Sequence, residues 1–117
     1  MNKTLEIKVK RNEENKIIDV LVNGKPVKRG FMRGLRKAQK TSYWHEYTTK
    51  GKAQNPFTKV WVELSPLEWS IATWCQTWYY CDYAQNPSKT QAPIQAYDDM
   101  KYFLLELNSN AYYELLD

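Results

Sequence analysis

Residues 59–75, KVWVELSPLEWSIATWC, mark the point at which the chain changes from strand to helix. In the first six residues every second side chain is aliphatic, which is typical of a β-strand with one buried face. Beyond them the apolar residues recur every three or four positions. Ser65 can cap a helix, Pro66 suits its first turn, and Glu68 completes a capping box. We therefore predict a strand that ends before Ser65 and a helix that runs on to about Gln85.

The residues before this point predict two β-hairpins. Residues 4–10 (TLEIKVK) and 16–24 (KIIDVLVNG) alternate in the same way, and a short strand at KPV follows their Asn-Gly turn. Residues 41–49 (TSYWHEYTT) and 57–64 (FTKVWVEL) predict a second pair, joined by the turn-forming residues 50–56 (KGKAQNP). The alternation places Leu5, Ile7 and Val9 on one face of the first strand, Ile18, Val20 and Val22 on one face of the second, and Val60, Val62 and Leu64 toward the core.

Three further segments predict helices. Residues 27–42 favour a short helix or an irregular crossover, with Phe31, Leu35 and Ala38 on one face. A helix follows Pro93 over residues 94–107, and a final turn or short helix covers residues 111–116. The apolar arc of the helix at 94–107 is predicted to comprise Tyr97, Met100, Phe103, Leu104 and Leu107.

Together these segments predict the fold class. We expect a single α+β domain over residues 1–117, a length that buries a hydrophobic core without disulfides or metals. Residues 1–64 should be mainly β with a basic crossover, and residues 65–117 mainly α. The predicted architecture is an N-terminal antiparallel β-sheet of two hairpins, packed by two C-terminal α-helices.

The basic residues are concentrated in the middle of the chain. Residues 25–59 hold ten Lys or Arg against one acid, a net charge of +9, whereas residues 60–117 carry −6. Helical spacing aligns three arginines of this segment on one face, and Gly30 and Gly34 would let a ligand approach the backbone. Forked guanidinium groups bind phosphates well. We therefore predict phosphate contacts for Arg29, Arg33, Arg36 and Lys37; alternatively, the acidic helices neutralise this segment.

Residues 74–83, WCQTWYYCDY, give one predicted helix two aromatic faces. A helical wheel puts Leu67, Ile71, Trp74, Cys75, Trp78 and Cys81 on the core side. Trp69, Tyr79, Tyr80 and Tyr83 fall on the opposite side. A surface helix needs only one apolar face, so the second face should be covered by the other helix, by a second copy of the chain, or by a ligand ring stacked on it.

The sequence contains no motif for catalysis. The one histidine, His45, is adjacent to Glu46, so on a strand the two side chains point apart, and no nucleophile elbow is present. Cys75 and Cys81 diverge on a helix, too far apart for a disulfide and too few for a zinc site, and are predicted to be small buried hydrophobes. Asp98, Asp99 and Glu106 are expected on a solvated helix face.

These observations predict a non-enzymatic protein with no cofactor and no metal. No apolar run is long enough to span a membrane, and the N-terminal MNKTLEIKVKRN is unlike a signal peptide. We therefore expect a cytoplasmic protein with reduced thiols and no membrane partner.

The overall layout resembles that of small bacteriophage counter-defence proteins. The segments that carry this resemblance are VLVNGKPVKRGFMRGLRKAQK, KVWVEL and SPLEWSIATWCQTWYY. Two kinds are similar in organisation: Thoeris anti-defence sponges, which sequester nucleotide signals, and anti-CRISPR inhibitors, which bind effector proteins. The resemblance implies a location in the host cell cytoplasm and covers organisation only.

The charge, the aromatic faces and the resemblance together lead to three candidate functions, of which the first two belong to different classes. The first is capture of an anionic nucleotide-type small molecule by a homo-oligomer, with the arginines on phosphates and the outer rings on bases or at the dimer contact. The second is inhibition of a host defence complex by direct protein binding. The third is nonspecific nucleic-acid binding, for which a basic patch with aromatic residues is a generic signal.

Overall fold

Two small antiparallel sheets and four α-helices form an α+β fold in residues 5–116, the part of the chain that the computed structural model describes. Residues 1–4, where the first predicted strand begins, and residue 117 lie outside this range. The strands are β1 Ile7–Arg11, β2 Ile17–Val22, β3 Lys25–Pro26, β4 Gly51–Gln54 and β5 Trp61–Leu64. The helices are α1 Arg29–Gln39, α2 Pro66–Thr77, α3 Ile94–Leu107 and α4 Ser109–Leu115, and a π-helical segment, Trp78–Tyr83, continues α2.

The predicted α+β class, with N-terminal strands and C-terminal helices, is confirmed. The two hairpins nevertheless form separate sheets, one with the order β1-β2-β3 and the other with β4-β5. Helix α1 packs on β2, and α2 packs on β4 and β5. Helix α3 packs against α1, α2 and α4, and its whole predicted apolar arc is buried.

A bulge interrupts the alternation in β2. Lys10 pairs with Asp19 but Arg11 pairs with Ile17, so that Ile18 is the extra residue. An extra residue in one strand shifts the following side chains to the other face. Ile17 and Val20 are therefore both buried, whereas Ile18 is 46% exposed. The prediction that Ile18 shares a face with Val20 is wrong for this reason.

The strand predicted over residues 41–49 does not form, and β4 lies in the segment that was predicted to be a turn. Residues 41–49 instead pack on α2, through both side-chain and backbone contacts. The ring of Tyr47 stacks on Trp69 at 3.6 Å between centroids, and the Tyr47 N–H donates to Ser70 Oγ at 2.9 Å. Trp69 in turn lies flat on Gly51, where an added Cβ would come within 2.1 Å of the indole. Gly51–Gln54 is thus held against α2 and pairs with β5.

Helix α2 begins as predicted and remains helical to Gln85. The predicted capping box is half formed: the Ser65 N–H donates to Glu68 Oε1 at 3.1 Å, whereas Ser65 Oγ is buried without a hydrogen-bond partner in the described chain. The same carboxylate accepts a hydrogen bond from Asn108 Nδ2 at 3.1 Å. Because Asn108 also caps α4, one buried acid joins the start of α2 to the junction of α3 and α4.

Helix α1 is regular, and Gly34 serves packing rather than an open ligand surface. Phe31 stacks on Phe103 of α3 at 5.1 Å between centroids. A Cβ on Gly34 would lie 2.6 Å from the Cβ of Asp99, so the missing side chain lets the two helices approach closely. A Cβ on Gly30 would meet only the ends of the Asp99 and Arg33 side chains, at 3.5 Å and beyond. The prediction that Gly34 admits a ligand is therefore wrong.

Candidate functional site

The four predicted phosphate-binding residues all project from α1 into solvent. We call this set the arginine face. The opposite side of α1 is buried against α3 and β2. Among residues 5–116, Arg33 is the only member with an ion pair, to Asp99 at 3.9 Å, and the Arg33 side chain is still 58% exposed. The arginine face consists of Arg29, Arg33, Arg36 and Lys37.

A cleft of about 420 Å³ separates this face from the first sheet. Part of its lining is apolar, and its one acid, Asp19, accepts the N–H of Val20 at 2.9 Å. The only acid of the basic segment, Glu46, is bound elsewhere, by Arg11 through two hydrogen bonds. The cleft is lined by Asp19, Pro26, Val27, Arg29, Met32, Arg33 and Arg36.

Trp69 does not share a surface with the three predicted tyrosines. It lies in the first turn of α2, half-buried between Tyr47 and Gly51. Tyr79 and Tyr80 follow ten or more residues later, a distance of roughly 15 Å along a helix. The contacts of Trp69 are therefore those of a packing residue.

The π-helical segment decides which of the later side chains face outward. An i to i+5 repeat brings Tyr83 one turn beyond Trp78, and their rings stack at 5.2 Å. Trp78 itself is buried, and its indole N–H donates to the carbonyl of Ala92 at 2.8 Å. Cys81, which a regular wheel places on the core side, is exposed. Its prediction as a buried residue is wrong because the wider turn rotates it outward, whereas Cys75 is buried as predicted.

Beside this segment lies a second cleft, of about 440 Å³, which we call the tyrosine cleft. Tyr79 and Tyr80 form one wall and remain 45% and 41% exposed, and Tyr83, 36% exposed, stacks on Tyr79 outside it. The turn before β5 and the helices α3 and α4 also contribute residues to the lining of the cleft. Its lining comprises Asn55, Phe57, Cys75, Gln76, Tyr79, Tyr80, Tyr97, Lys101, Leu115 and Leu116.

Phe57 is held at the rim of the tyrosine cleft by Asn55. The Asn55 carboxamide oxygen accepts the N–H groups of Phe57 and Thr58 at 2.7 and 3.0 Å, which makes a tight turn. The same carboxamide donates to the carbonyl of Glu114 at 2.6 Å and so ties the turn to α4. Phe57 is 77% exposed, and its ring lies 6.0 Å from that of Tyr80. The predicted strand position of Phe57 is wrong.

Lys101 supplies the positive charge of the tyrosine cleft. Its Nζ lies 5.5 Å from the ring centroids of both Tyr97 and Tyr102. Within the described chain it forms no ion pair with a carboxylate. Sequence reasoning did not include Lys101, although its spacing of four from Tyr97 puts both on one face of α3. A cation that contacts aromatic rings and has no counter-ion is available to an anion.

The electrostatics of the tyrosine cleft favour neutral rings around this charge. Burial raises the pKa of Tyr97 and of Tyr80, and the neighbouring Tyr79 raises the pKa of Tyr80 further. Burial also raises the pKa of the Cys75 thiol. Near neutral pH these groups therefore carry no negative charge that would repel an anion, and Cys75 is not a reactive thiolate.

Helix α3 separates the arginine face from the tyrosine cleft. It presents Asp99 to α1, whereas Tyr97 and Lys101, each two positions and about 200° away, line the tyrosine cleft. The two clefts have no lining residue in common. The predicted single site, with arginines on phosphates and tyrosines on bases, is thus divided into two surfaces.

The structure assembles no other constellation for chemistry in the described residues. His45 is exposed in the irregular segment before β4, where its ring contacts Tyr47. No group of three His, Cys, Asp or Glu side chains in residues 5–116 is placed to hold a metal ion. Asp99, expected on a solvated face, instead lies at the α1–α3 contact with a side chain only 14% exposed.

Comparisons with known proteins add no relative. The chain matches no protein-family model, no curated protein and no solved structure. Across the described residues, none of the helices combines the length and the apolar character that crossing a membrane requires.

Proposed function

We propose that this protein is a non-enzymatic binding protein that captures a nucleotide-type anion in the tyrosine cleft. The observation that carries the proposal is Lys101, a cation with no carboxylate partner in the described chain, set among neutral aromatic rings. A nucleotide combines a flat ring with a negative charge, and rings stack on aromatic side chains independently of base identity. A volume of about 440 Å³ falls within the range of small-molecule sites.

The rim of the tyrosine cleft favours stacking of a base on one aromatic ring over enclosure of the base between two rings. Phe57 and Tyr80 stand on two different elements, and their rings lie 6.0 Å apart at an angle of 59°. A base that entered there would contact one ring face, and Lys101, which lines the same cleft, would supply the charge for its phosphate. The buried, neutral thiol of Cys75 and the exposed position of His45 outside the cleft support binding without turnover.

Capture without turnover agrees with the sponge-like layout noted for the sequence. In that role the protein would lower the free concentration of a nucleotide signal, and the amount of protein would limit the effect. A stoichiometric, tightly retained ligand is therefore expected. Mass spectrometry of the protein purified under gentle conditions would detect the ligand and the number of subunits together.

Calorimetric titration with AMP, cyclic nucleotides and ADP-ribose tests the proposal. Tyr80→Ala should weaken binding at least about fivefold, since one base stacked on an aromatic ring is worth roughly 1–3 kcal/mol. Lys101→Gln should weaken binding of the phosphorylated ligands but not of the nucleoside.

The matched controls are Tyr113→Ala, an exposed tyrosine on α4, and Lys89→Gln, an exposed lysine after the π-helical segment. Both should bind as the unmodified protein does. Absence of heat and of a thermal shift across the whole panel would refute the proposal. Equal weakening by the controls would refute the assignment to the tyrosine cleft.

A further inference from the structure

The arginine face has no role in the tyrosine cleft, and its charge is not neutralised within the described chain. Arg29, Arg36 and Lys37 have no carboxylate partner there, and the pair between Arg33 and Asp99 is long, at 3.9 Å. A pair this long contributes little, and the largely exposed Arg33 side chain leaves its guanidinium accessible. This surface therefore carries an excess of positive charge.

The charges form a line rather than a point. From Arg29 to Lys37 the helix advances about 12 Å at 1.5 Å per residue. One small phosphate would engage only part of such a line. A polymer of phosphates can engage all of it, and Arg provides the planar fork that binds phosphate oxygens in pairs.

The platform under this line is rigid. Gly34 lets α1 pack tightly on α3, and Phe31 stacks on Phe103. At the other end, the buried Gln39 carboxamide donates to the Ile17 carbonyl at 2.9 Å and accepts the Ile17 N–H at 2.8 Å. The helix is thus fixed at both ends, and its charged side chains extend from a backbone that need not be ordered on binding.

The cleft beside the line suits a sugar–phosphate chain. Pro26, Val27 and Met32 contribute apolar surface to the cleft, and Arg29, Arg33 and Arg36 line it as well. A nucleic-acid backbone alternates less polar sugars with anionic phosphates, which matches this arrangement. We propose that the arginine face binds the phosphate backbone of a nucleic acid, on a surface separate from the tyrosine cleft.

Fluorescence anisotropy with labelled single-stranded and duplex oligonucleotides tests this proposal. The charge-removing variant is Arg29→Gln/Arg33→Gln/Arg36→Gln, and its matched control is Lys8→Gln/Lys10→Gln/Lys16→Gln, which removes the same charge from exposed positions of the first hairpin. The arginine variant should lose at least tenfold in affinity at low salt. Its salt slope should fall by about 2–3, since each phosphate contact adds about 0.7–0.9. The control should bind within about threefold of the unmodified protein.

A second variant keeps the test valid if the first does not fold. Arg29→Lys/Arg33→Lys/Arg36→Lys retains the charge and should retain most of the salt slope while losing affinity. Failure of the unmodified protein to bind at low salt would overturn the proposal, as would an equal loss in the lysine control. An equal loss in Tyr80→Ala would assign the oligonucleotide to the tyrosine cleft and likewise overturn it.

Discussion

The arginine face and the tyrosine cleft are both exposed surfaces on helices, but they arise in opposite ways. The arginine face is one side of the regular helix α1, and its residues come from nine consecutive positions. The tyrosine cleft collects side chains from a turn, from three helices and from the π-helical segment. The first surface follows from helical periodicity alone, whereas the second exists only when distant segments pack together.

The arginine face and the tyrosine cleft also differ in the reason why their side chains are exposed to solvent. Guanidinium groups remain in water because burying an unpaired charge is costly. Tyrosines can be buried at little cost if the hydroxyl is satisfied, so their exposure has another cause. In the π-helical segment the buried position is taken by Trp78, which stacks on Tyr83 and Tyr97, and Tyr79 and Tyr80 remain outside. Four predictions test this contrast, from the largest expected effect to the smallest.

Loss of the buried ring should affect the tyrosine cleft most. Trp78→Ala should lower the free energy of unfolding by about 3–5 kcal/mol, the usual cost of removing a buried aromatic ring. It also removes the indole N–H that donates to the Ala92 carbonyl, which then keeps only Thr90 Oγ1 as a donor. Tyr83→Ala, at the partly exposed side of the same stack, should cost about 1 kcal/mol. Urea denaturation followed by circular dichroism measures both; similar losses would mean that Trp78 does not anchor the segment.

The two glycines of α1 should respond in opposite directions. Gly34→Ala should lower the free energy of unfolding by about 1–3 kcal/mol, because the new methyl group would overlap the Cβ of Asp99. Gly30→Ala meets only ordinary contacts and should raise it by up to about 0.5–1 kcal/mol through helix propensity. Thermal unfolding of both variants checks this. A stabilised Gly34→Ala would contradict the close α1–α3 contact.

Alkaline pH should destabilise the protein through Tyr97 and Tyr43. Burial raises the pKa of both hydroxyls, and in Tyr43 the hydrogen bond to Asp82 adds to the effect. The folded-state pKa therefore lies above the unfolded value, so their contribution is complete below pH 10 and is lost as the pH rises. A tyrosine that stays neutral in the folded protein but ionises on unfolding lowers the free energy of unfolding by about 1.4 kcal/mol at pH 11.

Tyr97→Phe separates this contribution from the general effect of lysine deprotonation. The Tm of the unmodified protein should fall steeply between about pH 10 and 12, and the Tm of the variant should depend less on pH. The exposed Tyr113→Phe serves as the control and should follow the unmodified protein. Identical pH profiles for all three proteins would show that the Tyr97 hydroxyl titrates like an exposed tyrosine.

The smallest effect is expected on the arginine face. Arg33→Gln should change the free energy of unfolding by less than about 0.5 kcal/mol, because its ion pair with Asp99 is long and the Arg33 side chain is largely exposed. Lys37→Gln, which has no ion pair in the described chain, is the control. Denaturation in parallel measures both. A loss above about 1 kcal/mol in Arg33→Gln alone would make the pair structural and would argue against a free binding surface.

Wherever one local rule operated without competition, the sequence predicted the structure. The Ser65–Glu68 signal located the start of α2, the spacing of the apolar residues identified the buried sides of α1 and α3, and Asn23-Gly24 marked the turn between β2 and β3. The line of arginines was readable for the same reason. These features depend on neighbours within about one helical turn or one hairpin.

Only the tertiary structure decided the rest. Residues 41–49 have strand-like composition, but Tyr43 and Tyr47 bind side chains of the long helix, and the weak strand former Gly51–Gln54 pairs with β5 instead. The bulge at Ile18 and the π-helical segment each shift which side chains face the core. Phe57, Lys101 and Tyr80 line one cleft only because the turn, α3 and the π-helical segment converge. The physical reason is that packing energy summed over many contacts exceeds the small local preferences that a sequence window can reveal.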